Sequence, residues 1–437
     1  MGAKINRRRF LQRTASLSAG VVAFPYIMPA KALGRGGHTA PSNRLNMGCI
    51  GVGSQGTGNM KGFLGIREFH VVAVCDVDRD HRQNAKEIVD RRYSNTDCAD
   101  YNDFRELLEH DDIDVVSIAV PDHWHAIPAI AAAKKGYDIY AEKPLALTIP
   151  QGRAMCDAVE RYGTVWQTGS WQRSQEHFRR ACEVVRSGLI GTVERVEVGL
   201  PTGPSCPPQP EMPIPEGFDY DLWLGPALAA PYTEKRCHWD FRWILEYSGG
   251  QLTDWAAHHC DIANWGMGTE YTGPTAIRNA QGSFPTDGLW NAATDYAFEA
   301  VFAPGASPVA PKGFTMHVSN KNRGGATFIG SEGRVWVDRS GWETEPETLQ
   351  SAPPGRDAVR LYESNNHARN WLDCIHSRAK TITPIEVAHR AIAIAHLGNI
   401  AMFLHRDLTW DPAKEVIAGD ADAARLLDRS MREPWHI

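Results

Sequence analysis

Two patterns of apolar positions alternate between residues 45 and 170. Short runs dense in Val, Ile, Ala and Cys ("LNMGCIGVG", "HVVAVCDVD", "IDVVSIAVP", "DIYAEKP", "VWQTGS") read as buried strands. Between them, "YNDFRELL", "HAIPAIAAAKKG" and "PQGRAMCDAVERYG" read as helices, the second ending at Gly136. Such alternation predicts a parallel sheet with helices on both faces, which holds its ligands beyond the C-terminal ends of the strands. Near the end of the chain, "NHARNWLDCIHSR" and "PIEVAHRAIAIAHLGNIAMFLHR" read as two amphipathic helices. "TGPSCPPQPEMPIPEGFD" is a proline-rich loop without an element of its own, either a lid or an arm to a neighbouring subunit.

The first residues follow neither pattern. Arg7, Arg8 and Arg9 precede Phe10 and Leu11, a mildly apolar run continues to Phe24, and Ala30-Lys31-Ala32 has the small residues of a signal-peptidase site. The run is broken by Ser, Gly and Pro and is too short to span a bilayer. Arg-Arg-x-Phe-Leu resembles a twin-arginine leader, which addresses folded proteins to the twin-arginine export machinery. A disordered basic tail is the alternative. The export reading makes residues 1–32 a signal peptide and the mature chain periplasmic or secreted, with no membrane contact.

At 437 residues, 43% apolar and 22% charged, the chain suits two soluble domains. A net charge of −6 without a basic stripe argues against a nucleic-acid partner. None of the nine cysteines forms a C-x-x-C pair. Cys49 and Cys75 fall inside strand runs and read as small buried hydrophobes.

The candidate chemistry sits at strand ends. Gly51-x-Gly53-x-x-Gly56 follows the first strand with dinucleotide-binding spacing: a tight turn, close backbone approach to the pyrophosphate, and close helix packing. Asp76, 20 residues after Gly56, ends the second strand where a carboxylate binds a ribose diol. An acid there favours NAD, while nearby Arg79 and Arg82 leave NADP open. Three further clusters lie at strand ends: Asp122-His123-Trp124-His125 just after Pro121, Glu142-Lys143-Pro144, and Gln172-Arg173. Lys143 reads either as a solvated loop lysine or as a cleft ammonium that stabilises an alkoxide.

"GGQLTDWAAHHCDIANWG" reads as a helix with Asp254, His258, Asp261 and Trp265 on one face, and His259 turned away from it. A histidine is the natural base for a secondary alcohol. His123-x-His125 and His258-His259 look like metal-ligand pairs, but no third ligand stands at a recognised spacing, so no metal is expected. Trp239, Arg242, Trp243 and Tyr247, just before the helix, suit either a sugar site or a core or interface.

A glycine fingerprint, then Glu-Lys-Pro after a later strand, then an Asp-x-x-x-His helix resembles the Gfo/Idh/MocA oxidoreductase family across the mature chain. The resemblance implies an α/β protein: a Rossmann NAD(P)-binding domain at 43–165, then a substrate and oligomerisation domain at 166–437. The second domain would be built on an open, mostly antiparallel sheet, with strands "VERVEVGL", "TAIRNAQGSF", "ATDYAFEAVF", "FTMHVSN", "ATFIGS" and "RVWVD". Its last long helix would pack back on the first domain, and its sheet would make a homo-oligomer. The resemblance implies that Lys143, Asp254 and His258 are catalytic. It also implies that Gly51, Gly53, Gln55, Gly56, Asp76, Pro121, His125, Glu142, Lys143, Gln172 and Arg173 hold the cofactor. Ala256 stands where the family helix usually has glycine.

An exported nicotinamide enzyme has no pool to replenish its cofactor, so the NAD is expected to be tightly bound and recycled in the site. Sugar oxidation with a second substrate as acceptor meets that demand. So does transient oxidation during epimerisation, or during glycoside cleavage as in the family's NAD-dependent glycosidases. A carbohydrate-binding protein that kept the fold without the chemistry is a different class, and the presence of Lys143, Asp254 and His258 together argues against it.

Overall fold

The short apolar runs form one sheet in the computed structural model, which describes residues 40, 43–351 and 358–437. The leader expected at 1–32 lies outside the described residues. Strands β1 (Leu45–Ile50), β2 (Phe69–Cys75), β3 (Ala99–Tyr101), β4 (Val115–Ile118), β5 (Asp138–Ala141) and β6 (Trp166–Thr168) run parallel in the order 3-2-1-4-5-6. Every residue of β4 and β5 is buried, which is why these runs lack polar alternation. The order reverses between β1 and β4, so a crevice opens where both strands end. Since β6 belongs to this sheet, the first domain extends past the expected boundary at 165.

Two elements here escape the sequence pattern. Helix α1 (Ser54–Leu64) follows the glycine turn as expected, but α2 (Arg79–Tyr93) buries only Ala85 and Val89 and therefore has no apolar stripe. Its start is fixed instead by Asp78, whose side chain accepts from the backbone N–H of Asp80 and His81. The edge strand β3 shortens the helix expected over "YNDFRELL" to Phe104–Leu108.

The second sheet contains all six expected strands: β7 (Val193–Gly199), β8 (Ala276–Ser283), β9 (Asp295–Phe302), β10 (Phe314–Ser319), β11 (Gly325–Gly330) and β12 (Arg334–Asp338). Three more, β13 (Gly341–Glu345), β14 (Leu408–Asp411) and β15 (Val416–Ile417), extend it to nine strands, ordered 13-12-11-7-10-9-8-14-15. Only β7 and β10 pair in parallel. One face is covered by the helices Glu176–Arg186, Gly250–Met267 and Ile385–Leu404. The other alternates half-buried Arg195, Glu197, Glu299 and His317 with smaller residues, so the face expected to make an oligomer is mixed rather than bare apolar surface.

Both C-terminal helices reach the first domain. His367–Ser377 seals the back of the first sheet, with Trp371 fully buried 5.3 Å from the Phe69 ring and 5.6 Å from the Phe63 ring. The last long helix, Ile385–Leu404, packs on the first domain through helix Ile149–Tyr162 and β6 and also touches helix Gly250–Met267 and β8. Its mean hydropathy of 1.3 and its length would suit a membrane span, yet 78% of it is buried within the protein. It is a core helix.

Candidate active site

A cleft of about 630 Å³ lies beyond the ends of β1, β4 and β5, walled on its far side by the second domain. Its floor is the glycine turn. Gly51 sits at φ +77°, and a Cβ there would lie 2.5 Å from the Ala119 carbonyl oxygen. A Cβ on Gly56 would lie 1.9 Å from the Gly51 carbonyl oxygen. Gly53 differs: its nearest neighbour would be the His81 ring at 3.6 Å, so its backbone faces open space. Two glycines close the turn and the third leaves room for a ligand, which is the division a pyrophosphate requires.

Asp76 ends β2 at the rim of this turn. Its carboxylate accepts from the backbone N–H of Val52 at 2.8 Å and of Asp78 at 2.9 Å, which fixes it between the turn and the next helix. Arg82 is occupied nearby: it donates to the Asp76 carbonyl at 2.6 Å and to Asn102 at 3.1 Å, and pairs with Asp100 at 3.2 Å. His81 stands 3.9 Å from the Asp76 carboxylate, which raises its pKa above the ordinary value. Glu142 accepts from Gln55 at 3.2 Å and Asn59 at 2.8 Å, tying the first turn of α1 to the end of β5.

At the other end of the cleft, the Lys143 ammonium donates to the Asp254 carboxylate at 2.7 Å and to the Asp254 carbonyl at 3.3 Å. Arg242 approaches the same carboxylate at 3.5 Å. His258, one turn further along the helix, lines the cleft but is only 3% exposed, and its Nδ1 has no partner among the described residues. Burial pushes its pKa well below the usual histidine value, and the positive charges of Lys143 and Arg339 push the same way. The result is a neutral imidazole beside an ammonium, a pairing suited to removing a hydroxyl proton and holding the oxygen left behind.

The cleft thus gathers Gly51, Gly53, Gln55, Gly56, Asp76, Pro121, Glu142, Lys143, Asp254 and His258, with Trp239, Arg242 and Trp243 on the second-domain wall. Four expected site residues lie elsewhere. His125 is 1% exposed, with its ring nitrogens against the carbonyls of Val120 and Leu145. Arg173 is 2% exposed and locked to Asp261 at 2.7 Å and Glu270 at 3.2 Å, and its neighbour Gln172 is buried with it. Tyr247 is fully buried in an aromatic cluster with His123 and Trp223. All four lie outside the cleft lining, and Gln172 keeps both buried amide atoms without a partner among the described residues. The Asp254 carboxylate meets Lys143 rather than the His258 imidazole. The paired histidines weighed as metal ligands do not converge either: His123 Nε2 faces the Trp223 carbonyl at 3.0 Å.

Three wall residues had no sequence signal. Trp171 and Trp255 line the cleft beside His258, and Arg339, from the turn between β12 and β13, lies over both indoles at 4.8 and 4.6 Å. Only the tertiary fold brings residues 171, 255 and 339 together.

The fold and this cleft define a nucleotide-binding oxidoreductase class. Residues 45–170 match "Oxidoreductase family, NAD-binding Rossmann fold", and residues 178–437 match "Oxidoreductase family, C-terminal alpha/beta domain". The chain belongs to the Gfo/Idh/MocA oxidoreductase family. Among relatives, a glycosyl hydrolase family 109 protein of Shewanella pealeana is 30% identical over 209 residues, 43% of this chain and 44% of that protein. An alpha-N-acetylgalactosaminidase of Shewanella oneidensis is 32% identical over 209 residues, again 43% and 44% of the two chains. The similarity therefore spans less than half the length of these relatives. The fold is shared with an aldose-aldose oxidoreductase from Caulobacter crescentus at 18% identity and a TM-score of 0.60, over 84% of this chain and 99% of that one.

Proposed function

We propose that this protein oxidises a secondary hydroxyl of a sugar or sugar derivative, using NAD that stays bound from one turnover to the next. The observation that carries the reading is the convergence of Lys143, Asp254 and a buried His258 on one cleft with the glycine turn. The turn fits the cofactor: its open side at Gly53 suits the pyrophosphate, and the fixed Asp76 carboxylate suits a ribose diol. NAD is favoured over NADP because Asp76 repels a 2′-phosphate and Arg82 is already engaged. A bound nicotinamide would supply the acceptor for the carbinol hydride. His258 takes the hydroxyl proton, and Lys143, oriented by Asp254, steadies the negative oxygen that develops.

Retention of the cofactor has its own support. The end of the proline-rich loop is strapped across the tip of β2: Arg79 N–H donates to the Gly217 carbonyl and Asp219 N–H to the Val77 carbonyl, each at 2.9 Å. Asn102 adds a 2.8 Å bond to the Asp219 carboxylate. Phe218, Leu222 and Trp223 then wall the cleft on the Asp76 side. A strap held by backbone pairing must open before a dinucleotide can leave, and if residues 1–32 export the folded chain, such retention lets it carry its cofactor along. Protein purified without added cofactor and then denatured should release nicotinamide in near-stoichiometric amount. Substoichiometric release, with activity restored by free NAD, would overturn the reading.

A second reading draws on the names of the relatives: oxidation serving glycoside cleavage. The first chemical step is the same, because a transient ketone acidifies the adjacent C–H and permits elimination of the glycoside. Products from a panel of sugars and glycosides separate the two, since cleavage without net oxidation assigns a redox-assisted glycosidase.

A further inference from the structure

Three cations line the substrate end of the cleft. Lys143 and Arg242 share the one carboxylate of Asp254. Arg339 adds a third cation with no carboxylate partner among the described residues. The buried Asp122, which accepts from Ser248 at 2.6 Å, and Glu142, which accepts from Gln55 and Asn59, also line the cleft, and neither pairs with Arg339.

Arg339 also differs from comparable arginines in this molecule. Arg105, Arg173, Arg242 and Arg323 each lie over a tryptophan, and each also pairs with a carboxylate: Asp103, Asp261, Asp254 and Glu343 respectively. Arg180, over Trp342, donates to the Gln350 carbonyl. Arg339 alone of these has its guanidinium positioned by two indoles, Trp171 and Trp255, with no bonded acceptor among the described residues. A guanidinium held over ring faces keeps its N–H edges free, and those edges match the paired oxygens of a carboxylate, sulfate or phosphate. Trp171 and Trp255 flank His258 at ring-centre distances of 6.5 and 6.2 Å, so the arginine belongs to the wall beside the base.

We propose that the sugar oxidised here carries an oxyanion group on a carbon other than the one oxidised, and that Arg339 receives it. The inference rests on the sugar-oxidising reading above and names its substrate class. Arg339 acts as a specificity residue: it contributes to binding and leaves proton removal to His258.

The test is a paired panel: glucose and galactose against glucuronate, galacturonate, glucose 6-sulfate and glucose 6-phosphate. Binding is followed by quenching of tryptophan fluorescence in the purified protein, and turnover by the absorbance of reduced nicotinamide. At least one acidic sugar should bind about 10- to 100-fold more tightly than its neutral counterpart. Arg339→Gln should abolish that advantage without weakening neutral-sugar binding more than about twofold, and Arg339→Lys should keep part of it. The favoured acid identifies the oxyanion as carboxylate, sulfate or phosphate. Equal binding of neutral and acidic sugars, equal weakening of both by Arg339→Gln, or no binding of any acid overturns the proposal. Tight, Arg339-dependent binding of an acid without cofactor reduction upholds it while refuting the oxidation reading, so the two failures are distinguishable.

Discussion

One helix, Gly250–Met267, holds two aspartate–cation pairs of equal length and opposite purpose. Asp254 meets Lys143 at 2.7 Å with side chains 15% and 17% exposed, whereas Asp261, two turns on, meets Arg173 at 2.7 Å with side chains 3% and 2% exposed. Residue type and helix face do not separate them. Access does. The first pair opens on a cleft and shares its carboxylate with Arg242, so either partner can turn to a ligand. The second is sealed and completed by Glu270, with Arg173 lying 4.9 Å over Trp265, and burial raises the Asp261 carboxyl above its ordinary value even against Arg173. A sealed ion pair constrains the fold, and an open one remains available for chemistry.

Breaking the sealed pair should have the largest effect. Arg173→Ala leaves Asp261 buried without its cation, while Glu270 keeps Arg186 at 3.3 Å, and should cost about 3–5 kcal/mol of stability, read as a lowered denaturant midpoint. The protein that still folds should bind cofactor normally, because Arg173 does not touch the cleft. Loss of bound nicotinamide from folded Arg173→Ala would contradict that division.

Breaking the open pair should do the reverse. Lys143→Ala leaves Asp254 with Arg242 still beside it, so stability should change by less than about 1 kcal/mol. Turnover should fall about 10²- to 10³-fold, because the oxygen that becomes negative loses its charged partner. A variant that loses stability and keeps turnover would make Lys143 a packing residue.

The same contrast explains what could be read from the sequence. The strand runs, the glycine spacing, Asp76, Lys143 and the Asp254–His258 spacing are local signals, and each sits in the cleft. Arg173 and His125 share that local signature at strand ends, yet their short 3-10 turns direct them into the core, which no spacing rule reports. Helix α2 is nearly all polar and betrays itself only through its Asp78 cap. Arg339 was illegible for a further reason: its partners, Trp171 and Trp255, come from segments joined only by the folded domains. Sequence pattern locates strand ends, while side-chain direction is settled by packing.

The smallest expected effect on turnover concerns pH, and it separates the cleft-lining His258 from histidines packed away from the cleft. Burial holds His258 well below its ordinary pKa, and burial likewise lowers His123, His259 and His396 to about 4. In the unfolded chain all of them take up protons near ~6.5. Below that value the unfolded state binds more protons than the folded one, so stability falls as the solution is acidified from about 6.5 toward 4, by at most about 1.4 kcal/mol per pH unit for each histidine. Catalysis should not follow. The neutral His258 base persists in the folded protein, so turnover per folded molecule should change less than about twofold between about pH 7.5 and 5.5, where a base titrating at ~6.5 would lose about tenfold. Denaturant midpoints and single-turnover cofactor reduction, measured in the same buffers, give the two curves. A tenfold loss of turnover tracking an ordinary histidine titration would place the catalytic base in solvent contact and remove His258 from that role.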